Sequence, residues 1–117
     1  MNKKASLYNL ENLHQIYDSD KEIIGQIVKV FIDTVPQYIT ELSEASRSNN
    51  WNAAAFTAHK LKSTLKLFKI DTALDDILII ERDAKALVNL EHLPYKIEKV
   101  ISIIKTVADH LKANEKV

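Results

Sequence analysis

A single glycine, Gly25, stands in a chain of 117 residues. An ordinary protein is about 7% glycine, and hairpin turns draw on that supply because their central residues need positive φ. An all-β fold is therefore nearly excluded. Glycine-rich phosphate-binding loops are excluded too, since Gly25 has no second glycine to form one. The residues that remain plentiful suit long helices.

Apolar spacing predicts where those helices lie. Asn9 is placed to cap a short helix over 10–17. Ser19, with Glu22 three residues on, has the capping-box pattern and opens a long helix over 20–48. Its stripe is Ile24, Ile27, Phe31, Val35, Tyr38, Leu42 and Ala45, with Pro36 expected to kink the helix rather than break it. Asn49-Asn50 separates this helix from one over 51–69, whose stripe is Ala54, Ala58, Leu61, Leu65 and Phe68. Asp71 caps a fourth segment over 72–88, with Ala73, Ile77, Ile80, Ala84 and Leu87 in register. Pro94 suits the first turn of a last helix reaching about Ala113, with Leu93, Ile97, Val100, Ile104, Val107 and Leu111 on one face. Short connections between four long helices imply antiparallel neighbours. The expected fold is all-α, an up-down four-helix bundle with a short extra N-terminal helix. We expect one domain over residues 6–113, with 1–5 and 114–117 frayed.

Composition removes several function classes. With no cysteine, a disulfide scaffold, a thiol nucleophile and thiolate metal sites are out. No run of 18 apolar residues predicts a membrane span, and no leader-like apolar stretch follows Met1-Asn2-Lys3-Lys4, so a cytoplasmic protein is expected. Sixteen basic residues balance sixteen acidic ones, which removes the bulk electrostatic case for nucleic acid. The distribution is uneven, however. Between Ala45 and Ile70 there is no acidic residue, while Arg47, Lys60, Lys62, Lys66 and Lys69 all fall there.

That segment contains His59. At about 100° per residue, His59 lies roughly 140° from the centre of its helix's core stripe and points outward. Asn52, Ala55, Lys62, Ser63 and Lys66 share its side, with Phe56 close by. Ala55 and Ser63, one turn to either side, leave the ring accessible, and exposed Phe56 suits contact with a partner. Neutral imidazole is a nitrogen nucleophile near its ordinary pKa of about 6.5, and neighbouring ammonium groups would stabilise a phosphoryl dianion. No second histidine sits four positions away, no carboxylate is expected on this face, and there is no nucleotide site. The arrangement suits a group that holds a phosphoryl and has no means of making one from ATP.

Ala58-His59-Lys60-Leu61-Lys62-Ser63 resembles the Ala-His-x-Leu-Lys-Gly signature of histidine phosphotransfer (HPt) domains of bacterial multistep two-component phosphorelays. Phe31 and Pro36 resemble the family's pattern on the preceding helix. Leu42, Ala45 and Trp51 before the histidine, and Phe68, Ile77, Ile80 and Glu81 after it, fall at the usual spacing. The resemblance implies that His59 accepts a phosphoryl group from an aspartyl phosphate on a receiver domain and passes it to another receiver. It also implies that Lys62 orients and neutralises that group. Ala55, Phe56, Ser63 and Lys66 are the expected partner-contact residues. The chain is expected to be a monomer with no cofactor or metal of its own. Mg²⁺ would come from the receiver, and the partners would be response-regulator receiver domains and a hybrid sensor kinase. Two departures stand out: Ser63 replaces the signature glycine, and Phe68-Lys69-Ile70 replaces the family's Leu-Gly-Ala.

Other readings remain open. A dimerisation-and-phosphoacceptor domain of a sensor kinase usually has an acid and soon a proline after its histidine, whereas Lys60 follows here. A helical docking or adaptor module with an idle histidine is the alternative from a different class. His14, His92 and His110 lack metal-ligand spacing and read as ordinary surface or interface residues. The carboxylates read as solvated helix faces, and Trp51 and Tyr38 as packing. Met1 reads as the start of a free-standing shuttle.

Overall fold

The computed structural model describes residues 7–115, which are all-helical, with no strand among them. The helices are α1 (Glu11–Ile16), α2 (Lys21–Arg47), α3 (Trp51–Leu67), α4 (Asp71–Ala86) and α5 (Leu93–Glu115), with a 3₁₀ turn, Leu90–His92, before α5. Each long helix packs against two others: α2 against α3 and α5, and α4 against α3 and α5. No described helix is long and apolar enough to cross a membrane. Residues 1–6 and 116–117 lie outside the described residues, so most of the expected fraying does too. Asn114, expected to be frayed, is helical, and its Nδ2 donates to His110 O at 2.8 Å.

The turns form without glycine. Asn49, Lys69, Leu87 and Asn89 take positive φ at or beside helix ends, and Asp18 and Ser19 do so before α2. Lys69, at φ 51°, adopts the left-handed geometry that a glycine usually supplies, and Ile70 N donates to Leu65 O at 2.9 Å to close the turn. The Phe68-Lys69-Ile70 departure therefore preserves a standard helix stop. Leu87 is a correction. Expected in the core stripe, it is the left-handed residue ending α4 and is largely exposed. Gly25 lies inside α2 with open space around its Cβ position, so the one glycine takes no part in any turn.

Capping differs from expectation at three places. Asp20, not Ser19, caps α2, its carboxylate accepting from the Glu22 and Ile23 N–H groups. Ser19 is turned away and its hydroxyl meets His14 Nδ1 at 3.1 Å. Asn9, two residues before the first residue of α1, accepts from Glu11 N, and Asp71 is the first residue of α4 rather than a side-chain cap. Asn50 caps α3 as expected, accepting from Ala53 N at 3.1 Å.

The core contains all six α5 stripe residues and all five from the α3 segment. On α2 the buried face is wider than one stripe. Val28 and Ile32 are buried while Ile27 and Tyr38 are only partly so, because α2 packs against two neighbours at once. The helix runs through Pro36 without a break. Two carboxylates contradict the reading of solvated faces. Asp76 is buried and faces Lys96 and Lys99 of α5 at 3.6 and 3.4 Å, and Asp83 is buried beside Arg82 Nε at 2.9 Å. Arg82 holds the Asp83 carboxyl below its usual range.

Candidate functional site

Helix α3 is fixed from below by Ala54, Ala58, Leu61 and Leu65, each fully buried. Its C-terminal end is tied to the start of the chain: Asn9 N donates to Phe68 O at 2.9 Å, and Asn12 Nδ2 donates to Lys66 O at 3.1 Å. On the opposite face His59 stands with 66% of its side chain exposed. Phe56, Ser63 and Lys66 are exposed near it, Ala55 and Lys62 half-buried. These are the residues expected to share that face.

A carboxylate is present after all, and it comes from α4. Glu81 Oε2 lies 2.7 Å from His59 Nδ1, and Glu81 Oε1 accepts from Lys62 Nζ at 3.1 Å. His59, Lys62 and Glu81 thus form one network across the α3–α4 seam. Its hydrogen bonds to His59 and then Lys62 hold the Glu81 carboxyl below the ordinary glutamate range, so it is ionised at neutral pH. An ionised carboxylate only accepts, which puts the imidazole proton on Nδ1 and leaves the Nε2 lone pair free. Glu81 had appeared in the sequence only as a residue at family spacing. Nothing local to α3 signals its contact with His59.

The segment that is basic in sequence is much less so in space. Lys60 meets Glu41 Oε1 of α2 at 3.2 Å, Lys62 meets Glu81, and Lys69 meets Glu11 at 3.6 Å. Lys60 Nζ also sits 4.9 Å from the Phe56 ring centroid and 5.9 Å from that of Tyr38. Glu41 accepts further from Gln37 Nε2 at 2.9 Å and from the buried Thr57 hydroxyl at 3.1 Å. These bonds, led by that of Gln37, hold its carboxyl below the usual range. Lys66 makes no ion pair among the described residues.

Beside this face an open groove of about 420 Å³ runs between α2 and α3, lined in part by Ile27, Val30, Tyr38 and Leu67. The other histidines are elsewhere. His14 meets Ser19, His110 Nδ1 lies 2.6 Å from the Tyr8 hydroxyl, and His92 lies 3.7 Å from Glu91. No group of three metal-ligating side chains occurs among the described residues.

Comparison with curated proteins and with solved structures gives no match. The Hpt domain family matches residues 26–75, a stretch from α2 through all of α3 into the first turns of α4. His59, Lys62 and Ser63 fall inside it and Glu81 beyond it. The match supports an Hpt domain over those residues.

Proposed function

We propose that this chain is a phosphorelay carrier whose acceptor atom is His59 Nε2. Hpt domains serve phosphotransfer in two-component phosphorelays as carriers rather than enzymes. The observation that carries the residue assignment is the Glu81 contact at His59 Nδ1, which leaves the exposed Nε2 as a nucleophile. The lone pair on Nε2 attacks the phosphorus of an aspartyl phosphate on a receiver domain. The P–O bond to the aspartate breaks, its electron pair returns to the carboxylate, and the P–N bond forms. Glu81 keeps the proton on Nδ1 throughout. In the onward step the imidazole therefore leaves as a neutral ring rather than an anion, so one hydrogen bond serves both directions.

Lys62, half-buried beside the ring, turns its ammonium toward the incoming phosphoryl oxygens. Mg²⁺ belongs to the receiver and supplies the remaining charge neutralisation there. Ala55, Phe56, Ser63 and Lys66 form the contact face. The serine hydroxyl at 63 is small enough to keep the approach open. In this reading the fold is an up-down antiparallel four-helix bundle acting as a cytoplasmic monomer. Its partners are receiver domains and a hybrid sensor kinase, and it has no nucleotide site of its own.

The test mixes the protein with a receiver domain charged by acetyl phosphate, in Mg²⁺ and without ATP. An acid-labile, base-stable phosphoryl group is expected, mapped to His59 by mass spectrometry. No label, or label on another residue, overturns the assignment. Receiver binding without transfer would identify a docking module instead. Glu81→Gln is expected to slow acceptance by about ten- to a hundredfold, because a hydrogen bond to a charged group contributes roughly 1.5–3 kcal/mol and a tenfold rate change is about 1.4 kcal/mol. Stopped-flow or quench measurement of the first turnover reads this directly. An unchanged rate would remove Glu81 from the mechanism.

A further inference from the structure

The two lysines nearest His59 in sequence are each paired with a carboxylate from a flanking helix: Lys60 with Glu41 of α2, and Lys62 with Glu81 of α4. Glu81 also touches the imidazole, but Glu41 has no contact with it. With Lys66 included, three ammonium groups against two carboxylates leave one net positive charge where α3 alone would present three. Glu41 is firmly held by Gln37, Thr57 and Lys60, and the Lys60 ammonium is further kept against Phe56 and Tyr38. These contacts draw the Lys60 charge toward α2, although Lys60 follows His59 directly in the chain.

We infer that Glu41 tunes how tightly His59 holds a phosphoryl group, by cancelling the positive charge of Lys60. The inference rests on the phosphoacceptor reading of His59 given above. Phosphorylation adds a dianion at Nε2, and every uncancelled cation nearby stabilises that state relative to the free ring. By neutralising Lys60, Glu41 keeps phospho-His59 less stable and readier to discharge into the next partner. A carrier must give up its group as well as accept it, and this ion pair balances the two without contacting the reacting atoms.

Phosphoramidate, which phosphorylates histidine directly, tests this without any receiver. Its P–N bond breaks, ammonia leaves with the electron pair, and a new P–N bond forms to Nε2 while Nδ1 keeps its proton. At fixed phosphoramidate and ammonia the equilibrium fraction of phospho-His59 is read by ³¹P NMR and mass spectrometry. Glu41→Gln, which retains an oxygen for the Thr57 hydroxyl, is expected to raise the equilibrium constant about two- to fivefold, the size expected for a nearby unit charge at a protein surface. Lys60→Gln is expected to lower it by a similar factor, and the double variant to fall near the wild type. All differences should shrink in about 0.5 M salt, where the screening length falls to roughly 4 Å.

A structural role for Glu41 predicts neither opposite signs nor salt sensitivity. Both single variants moving the same way, neither moving, or His59 remaining unlabelled would overturn the inference. The predicted order of variants, combined with failure of a charged receiver to exchange with His59, would overturn the relay reading and leave the charge effect standing.

Discussion

A His59→Gln protein is expected to take no phosphoryl group from a charged receiver while melting within a few degrees of the wild type. The first half follows from chemistry, since an amide side chain has no basic nitrogen to attack phosphorus. The second follows from position. The ring is 66% exposed, and ion pairs in such settings contribute about 0–1 kcal/mol. The Lys62–Glu81 pair remains after the substitution, so no buried charge is stranded. His92 provides an internal control, for its side chain is 69% exposed, slightly more than that of His59. Among the described residues its one ion-pair contact is Glu91 at 3.7 Å, a carboxylate that no lysine shares as Lys62 shares Glu81. Exposure alone would let His92 substitute in the variant. The proposed mechanism requires that it does not. Radiolabel transfer and a thermal melt on the same preparation decide both halves, and label on the variant at the wild-type rate would end the His59 assignment.

What could be read from the sequence follows the range of the interactions involved. The α5 stripe from Leu93 to Leu111 and the outward direction of His59 both rest on helical periodicity, which is a property of neighbouring residues. The asparagine pair ending α2 and opening α3 was equally legible, because Asn49 tolerates positive φ and Asn50 caps through its side chain. Glu81 was different. It lies 22 residues from His59 on another helix, and only the packing of α4 on α3 brings its carboxylate to Nδ1. The acid-free run from Ala45 to Ile70 suggested a strongly basic face, yet Glu41, Glu81 and Glu11 from three other helices pair with three of its five cations. Asp76 was misread for the same reason. A carboxylate looks solvated in one helix until a facing helix brings Lys96 and Lys99 to it. Leu87 failed through the backbone: its apolar side chain continued the α4 register, but the helix stopped there in a left-handed turn.

Phe68→Ala is expected to be the most damaging single change outside the site, lowering unfolding free energy by about 3–5 kcal/mol. Phe68 is 1% exposed and stacks on Phe31 of α2 with ring centroids 4.6 Å apart. Such aromatic pairs add about 0.5–1.5 kcal/mol to the burial itself, and the truncation would leave a ring-sized void between α2 and the end of α3. The position also lies just before the left-handed Lys69 turn, and its carbonyl receives Asn9 N from the segment leading into α1. Collapse into the void would therefore pull on the contacts that hold the start of the chain. A protein of this size has about 6–17 kcal/mol in total, so the loss is a large fraction of the whole. Denaturant melts should show the midpoint moving at nearly constant slope, as for lost stability rather than a changed denatured state. His59 lies more than two helical turns before Phe68, and its network with Lys62 and Glu81 does not include Phe68. The folded fraction of the variant should accordingly accept phosphoryl at close to the wild-type rate. A large drop in that rate per folded molecule would mean that packing at the end of α3 helps position the histidine.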